Sequence, residues 1–108
     1  MRSLVLMLIV SVVLFVNPIF AADTAAGKEL FGKKCASCHG ASGEGKESVA
    51  KMLKAEIHNL GSKEVQAKSD ADLKKNILEG MGKMKAVKDI DAKGADDIVA
   101  YLRTFAKK

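Results

Sequence analysis

The chain has 108 residues, a length that accommodates one small domain but not two. Its net charge is +5, from 18 basic and 13 acidic side chains, and it contains no Trp, one Tyr and four Phe. The basic charge alone is compatible with nucleic acid, an acidic protein or anionic lipid as a partner. So few aromatic rings, however, supply a single-strand nucleic-acid binder poorly with stacking platforms, and we expect no nucleic-acid partner. Two Cys are too few for a disulfide-dense scaffold.

The N-terminus has the pattern of a secretory signal peptide. Arg2 provides a positive start, an apolar run covers residues 4–16, and Phe20-Ala21-Ala22 ends in small residues. Cleavage after Ala21 is favoured, because cleavage after Ala22 would place the bulky Phe20 at the third position before the cut. We therefore expect export to the periplasm and no bilayer span after cleavage. An uncleaved leader is the alternative and would anchor the domain, since the apolar stretch approaches the length of a membrane span.

The predicted division is a leader over residues 1–21 and one domain over residues 22–108. The leader holds 16 of the apolar residues, which leaves 36 among the other 87, and 14 of these are Ala. Domains of this size bury only a modest fraction of their surface. We therefore expect a bound group to fill the centre.

Helical signals open the mature domain. Asp23 or Thr24 can cap a helix over 24–34, in which Gly27 and Phe31 recur at helical spacing. The middle of the chain has weaker signals.

Three Gly within residues 40–45 predict a loop. Residues 46–54 are a weak helix candidate, and 57–68 are irregular apart from one helical turn at 63–67.

Two further helices are predicted in the second half. Ser69 or Asp70 can cap one that ends at Gly80, and Asp91 can cap another over 92–105. The apolar positions expected on their inner faces are Leu73, Ile77, Leu78, Ile98, Tyr101, Leu102 and Phe105. No segment alternates β-branched and polar residues. The domain is therefore predicted to be all-α, with about three main helices plus short helical turns.

The segment Cys35-Ala36-Ser37-Cys38-His39 carries the strongest chemical signal. Two Cys three residues apart, followed at once by His, form the attachment signature of a covalent c-type haem. On one helical turn, Cys35 and Cys38 lie near the same face, where each can form a thioether with a haem vinyl group, and His39 projects toward the iron. We predict one covalent haem c with His39 as the proximal iron ligand.

Three other interpretations of the cysteine pair stay open. A thioredoxin-like dithiol is typical of a βαβ pattern, which this chain lacks. A zinc site could add His58 to the motif, although adjacent Cys38 and His39 do not match the usual ligand spacing of zinc modules. A structural disulfide suits an exported protein but explains neither His39 nor the small core.

The candidates for a distal iron ligand are Met52, Met81, Met84 and His58. The stretch from Gly80 to Met84 resembles the Gly-x-Gly-x-Met loop that delivers the axial Met in small class I cytochromes c. The resemblance covers residues 24–105 and also includes Gly27-Lys-Glu-Leu-Phe31, Cys35-Ala-Ser-Cys-His39, Lys68-Ser-Asp-Ala-Asp-Leu73 and Tyr101-Leu102. The chain is thus similar to small monohaem cytochromes c of the bacterial exported type.

This resemblance implies a cytochrome c fold in which the first and last helices cross near the haem edge. It implies that Gly27, Phe31 and Tyr101 pack there, and it assigns the distal ligand to Met84, with Met81 as the fallback. Met52 and Met81 would then pack in the core or the haem pocket. His58 would be a polar loop residue or contact a haem propionate.

Two prolines of the family pattern are missing. The Pro that usually follows the axial Met is Lys85 here, and the Pro after the haem motif, whose carbonyl often accepts from the proximal His, is absent. The Met loop is therefore expected to be looser, with a sulfur ligand that imidazole displaces more easily than in relatives with both prolines.

His and Met ligation closes both axial positions, so the iron exchanges electrons without binding a substrate. The carboxylates Asp70, Asp72, Asp96 and Asp97 are expected as helix caps or on solvated faces, and they offer no catalytic cluster. The predicted function is that of a monomeric, exported one-electron carrier and not an enzyme. The alternatives are a peroxidase-like or gas-binding protein with a labile sixth site, and an electron-input subunit of a larger oxidoreductase.

Lysines lie close in sequence to the predicted iron ligands. They are Lys33, Lys34, Lys83, Lys85 and Lys88. Positive charge at this place would steer acidic redox partners to dock transiently near the haem edge. The alternative is a generic solvated surface, because Lys is spread along the whole chain.

Overall fold

Six α-helices form the part of the chain that the structure describes. A computed structural model describes residues 22–106, so the predicted leader at 1–21 lies outside the described residues. The helices are α1 (Thr24–Lys34), α2 (Ala36–His39), α3 (Glu47–Leu53), α4 (Lys63–Gln66), α5 (Asp70–Glu79) and α6 (Ala92–Leu102), followed by a 3-10 turn at Arg103–Phe105. Residues 22–106 contain no β-strand, which confirms the all-α class. In this range no helix has the length and apolar character needed to cross a membrane.

Side-chain caps set the starts of the three long helices. The side chains of Asp23, Ser69 and Asp91 each accept a hydrogen bond from a backbone N–H two or three residues further on. These bonds satisfy amide donors that have no partner in the first helical turn. The prediction of a cap at Asp70 is wrong, because Ser69 caps α5. Asp70 instead accepts hydrogen bonds from Arg103 at 2.7 and 3.0 Å.

The end of the last helix differs from its predicted bound. The α-helix stops at Leu102, and the chain tightens into the 3-10 turn for three more residues, a common way for a helix to end. The weak candidate at 46–54 is a helix, α3.

The buried apolar side chains cluster around α1, α4, α5 and α6. They are Phe31, Cys35, Val65, Leu73, Ile77, Ala95, Ile98, Val99 and Leu102. Within the described residues none comes from α2, α3 or the loop at 80–91. The buried side chains therefore form one small core among these helices, in agreement with the low apolar content of residues 22–108.

The helices α1 and α6 cross with their backbones in direct contact at Gly27. A Cβ at this position would lie 1.9 Å from the carbonyl oxygen of Asp97 and 3.1 Å from the backbone nitrogen of Ile98. The resemblance placed Gly27 with Tyr101, whereas the structure places it against the backbone one turn earlier in α6. Only a residue without a side chain permits this approach.

An aromatic cluster lies next to this crossing. The ring of Phe31 meets Tyr101 and Phe105 edge to face, with centroids 5.5 and 5.4 Å apart. Tyr101 and Phe105 meet in the same way at 5.0 Å. Such edge-to-face pairs are favoured by the ring quadrupoles, so the three rings fix the relative positions of α1 and the chain end.

Asp97 is buried, which corrects the expectation that it lies on a solvated face. The residue is only 3% exposed. Its Oδ1 accepts from the backbone N–H of Asp23 at 2.7 Å, and its Oδ2 accepts from Lys93 Nζ at 3.0 Å. The hydrogen bond from Asp23, followed by that from Lys93, holds the pKa of the Asp97 carboxyl below its ordinary value. The buried carboxylate thus fastens the start of α1 to α6.

We predict that Gly27→Ala lowers the free energy of unfolding by about 2–3 kcal/mol, because the new methyl group would overlap a helix backbone that cannot move away alone. Thermal unfolding of the haem-loaded protein measures this. The matched control is Gly32→Ala in the same helix, where a Cβ meets nothing within 4 Å. The control should be neutral or stabilising by up to about 1 kcal/mol. Equal effects of the two substitutions would contradict the crossing.

We predict that Asp97→Asn lowers stability at neutral pH by about 1 kcal/mol through loss of the charged acceptor. Because the folded pKa of Asp97 is depressed, its contribution is present well above pH 3.8 and is lost as the pH falls through the lowered folded value. Thermal unfolding of both proteins across this range should show the difference closing in acid. The control is Asp96→Asn, which removes an exposed ion pair to Lys74 and should change little.

Candidate haem-binding site

Cys35 joins α1 to α2 and orders the haem motif around one turn. Its backbone N–H donates to the Phe31 carbonyl at 2.9 Å, which ties it to α1. Its own carbonyl accepts from the N–H groups of Cys38 and His39, at 3.2 and 3.0 Å. Both cysteines and the histidine are therefore held on a single helical turn, adjacent to the aromatic cluster.

The loop after the motif folds back and fixes its end. The backbone N–H of Gly45 donates to the His39 carbonyl at 2.6 Å, and that of Lys46 donates to the Cys38 carbonyl at 2.9 Å. This return confirms the predicted loop at 40–45 and leads directly into α3.

The two cysteines are free thiols in different environments. Cys35 is buried in the core, and Cys38 is partly exposed. Burial, and to a smaller extent the neighbouring Cys38, raises the pKa of the Cys35 thiol to about 11. Cys35 is therefore a neutral thiol at neutral pH, unlike the low-pKa cysteine of a thioredoxin-like dithiol.

His39 presents a partly buried, neutral imidazole. Burial lowers the pKa of its ring below 6.5, so the ring is uncharged at neutral pH, which is the form that binds metals. Within residues 22–106, the buried Nδ1 of His39 has no hydrogen-bond partner. The proline whose carbonyl often accepts a hydrogen bond from such a histidine is missing after the motif. No other group among the described residues accepts in its place. A buried ring nitrogen without a protein partner fits a residue that binds a group other than the chain.

Met81 and Met84 face each other across a tight turn. The backbone N–H of each donates to the carbonyl of the other, both at 2.9 Å. Gly80 precedes the turn with φ of +82°, and a Cβ there would lie 2.7 Å from the Met84 carbonyl oxygen and 2.8 Å from the Ala86 nitrogen. Gly80 is thus needed both for its backbone angle and for the close return of the chain.

The four candidates for the distal ligand differ in exposure. Met84 is partly buried, whereas Met81 is 52% exposed and Met52, on α3, is 73% exposed. The His58 Nδ1 lies 3.7 Å from a carboxylate oxygen of Glu56 and 3.9 Å from one of Glu64. Met84 is therefore the least exposed of the three methionines.

The residues of the site fit a covalently held haem. One turn carries two free thiols and a neutral imidazole with a buried, unpaired nitrogen, and a second turn carries a methionine sulfur. Imidazole and thioether sulfur are established axial ligands of haem iron. Fold and site together define a small helical domain built to hold one haem.

Comparison with known proteins agrees with this class. The family described as cytochrome C oxidase, cbb3-type, subunit III matches residues 22–102. Cytochrome c-554(547) from Halothiobacillus neapolitanus is 36% identical over 92 residues, which cover 79% of this chain and 99% of that protein. Cytochrome c6 from Picosynechococcus sp. is 32% identical over 87 residues, which cover 78% and 74% of the two chains.

A solved structure gives the same result for the fold. The c-type cytochrome KustC0563 superposes with a TM-score of 0.64 at 26% identity, over 75% of this chain and 98% of that one. The chain therefore belongs to the cytochrome c family, as a small monohaem member with covalently bound haem c. This confirms the cofactor predicted from the Cys and His spacing and the fold implied by the resemblance.

Proposed function

We propose that this chain is an exported carrier of single electrons, with Cys35 and Cys38 bound to the haem and His39 and Met84 as axial ligands. The observation that carries the proposal is that the chain has both a partly buried, neutral imidazole on the cysteine turn and a partly buried methionine on a second, hydrogen-bonded turn. The curated relatives of similar length, both named as cytochromes, support a carrier.

Each of these residues has a defined chemical role. The thiols of Cys35 and Cys38 would hold the haem through thioether bonds to its two vinyl groups. When bound, haem supplies an iron centre that takes up and releases one electron. The neutral His39 ring offers a lone pair without first losing a proton, and the Met84 sulfur favours the reduced iron and so raises the potential.

The packing residues implied by the resemblance belong to the same proposal. Phe31 lies one turn before Cys35, and its ring contacts Tyr101. Gly27 allows α6 to approach α1 closely enough for that contact. We assign these three residues to the packing near the haem, where they exclude water from one side of the group.

Export is proposed from the leader pattern of residues 1–21, with residues 22–108 as the mature domain. The protein is then a monomer in the periplasm, held at the membrane only if the leader is uncleaved.

We predict that the ferric protein shows the weak long-wavelength sulfur-to-iron band, and that Met84→Ala abolishes it while Met81→Ala keeps it. The reason is that the carrier needs a sulfur on the second axial position, and Met84 is the less exposed of the pair. Absorption spectra of the protein, matured with its own leader in a host competent for cytochrome c maturation, measure this. Covalent attachment is checked by denaturing extraction.

Other outcomes point to other functions. A high-spin ferric spectrum with covalent haem would leave the sixth position open and favour a peroxidase-like or gas-binding protein. Loss of the band in Met81→Ala alone would move the ligand to the fallback residue.

The partner of such a carrier is proposed to be a redox protein with an acidic docking surface. The lysines next to the motif and the Met turn are all exposed, and they are Lys33, Lys34, Lys83, Lys85 and Lys88. Among the described residues, Lys34, Lys85 and Lys88 form no ion pair, so their charge is available to a partner.

We predict that oxidation of the reduced protein by the anion hexacyanoferrate(III) slows as ionic strength rises, because salt screens the attraction to these lysines. At low ionic strength Lys85→Glu should slow the reaction by about fivefold. The control is Lys28→Glu, the same charge change about two turns before Cys35 on α1, for which we expect less than about a twofold effect. Stopped-flow kinetics measure both, and equal effects would indicate a generic charged surface.

A second candidate function follows from the description of the matching family as an oxidase subunit. As an electron-input subunit, the chain would form a stable complex with a larger membrane enzyme. Its co-purification with such an enzyme from solubilised membranes would favour this role over that of a diffusing carrier.

A further inference from the structure

Lys83, in the turn between Met81 and Met84, is exposed but also makes a hydrogen bond to a distant part of the chain. Lys83 Nζ donates to the backbone carbonyl of Leu53 at 2.6 Å, across 30 residues of sequence. Leu53 is the last residue of α3, and Lys83 lies within the turn that Met81 and Met84 close. The bond therefore joins the turn that carries the proposed distal ligand to the end of a separate helix.

The Leu53 carbonyl is a suitable acceptor because α3 ends there. Lys54 takes the left-handed conformation, with φ of +50°, and its N–H turns back to the carbonyls of Ala50 and Lys51. Leu53 is thus one of the terminal carbonyls without a donor inside the helix. A cation is favoured at this end of a helix, where the carbonyl dipoles point outward.

Among residues 22–106, the other contacts of this loop lead to α5 and the core, where Val87 and Ile90 are partly buried. The backbone N–H of Val87 donates to the carbonyl of Ile77 at 2.9 Å and returns the loop to α5. Lys85, on the other side of Met84, makes no hydrogen bond or ion pair within residues 22–106. The bond from Lys83 is therefore the polar contact that holds the turn toward α3.

We infer that Lys83 is a positioning residue, which fastens the Met turn to α3 and so keeps the Met84 sulfur, rather than that of Met81, at the distal position. This inference rests on the proposed ligation by His39 and Met84. Where relatives stiffen the loop with a proline after the methionine, this chain has Lys85. A side-chain hydrogen bond to the end of α3 supplies a constraint that the backbone lacks.

The expected effect is that of one hydrogen bond to a charged donor. Without the Lys83 hydrogen bond, the fraction of molecules in which the Met84 sulfur has left the distal position rises by about threefold to tenfold. An external ligand binds only that population, so its apparent affinity rises by the same factor. The effect is therefore measurable as a shift in ligand titration, even where the spectrum of the unliganded protein is unchanged.

The test is imidazole titration of the ferric holo-protein in four forms. Imidazole should bind Lys83→Gln about threefold to tenfold more tightly than the unsubstituted protein. Lys85→Gln, which removes the same charge from the same loop, should leave the affinity unchanged. Lys83→Arg can still donate to the Leu53 carbonyl, so its imidazole affinity should equal that of the unsubstituted protein.

A second measurement does not depend on the identity of the iron ligand. The Met84 amide is held by the Met81 carbonyl, and its hydrogen exchange should be faster in Lys83→Gln than in Lys85→Gln by a similar factor. Equal imidazole affinities and equal exchange rates in the two variants would overturn the inference. If the unsubstituted protein lacks the sulfur-to-iron band, the proposed ligation fails, and faster exchange in Lys83→Gln alone would still show that Lys83 fastens the turn.

Discussion

The contact of two helix backbones at Gly27 is the constraint on which the rest of the domain depends. Because α6 passes within van der Waals distance of the α1 backbone at Gly27, the ring of Phe31, one turn further along α1, reaches Tyr101 and Phe105. Cys35 ends the same helix, so the crossing also sets where the haem motif begins. A displacement of α6 would move the aromatic cluster and the attachment turn together.

The site has two halves that are held in different ways. The half with Cys35, Cys38 and His39 is continuous with the packed helices and is bracketed by backbone hydrogen bonds on both sides. The half with Met84 lies on a loop that contributes no fully buried side chain, and it is held by a few polar contacts and by the partly buried Val87 and Ile90, which pack against the core. Under the proposed ligation by His39 and Met84, the first half anchors the haem, and the second controls how firmly the sixth position is closed. Ligand exchange therefore depends on the loop, while attachment depends on the crossing.

A hydrogen-bond network at the C-terminal end of α6 ties Arg103 to the middle of the domain. Arg103 donates to the carbonyls of Gln66 and Lys68 and to the carboxylate of Asp70. The Gln66 amide donates in turn to the carbonyls of Leu60 and Leu102, at 2.8 and 2.9 Å. The bond to Gln66 satisfies the carbonyl of the last residue of α4, and the other bonds supply donors to carbonyls on either side of α4 and at the end of α6. Side chains thus complete a region too irregular to satisfy its own backbone.

The sequence by itself determined the features that depend on near neighbours. Helix starts follow from capping side chains two or three residues away, and the haem motif and the Met turn follow from short fixed spacings, such as Cys35 to His39 and Gly80 to Met84. The tertiary structure alone decided which polar groups are buried and what they bind. Asp97 looks like a solvated residue by helical spacing, yet its partner Asp23 is 74 residues away. Lys83 looks like surface charge, yet it reaches the end of a helix 30 residues earlier. Periodicity and caps record local geometry, whereas these contacts arise only when distant segments pack, so no local pattern encodes them.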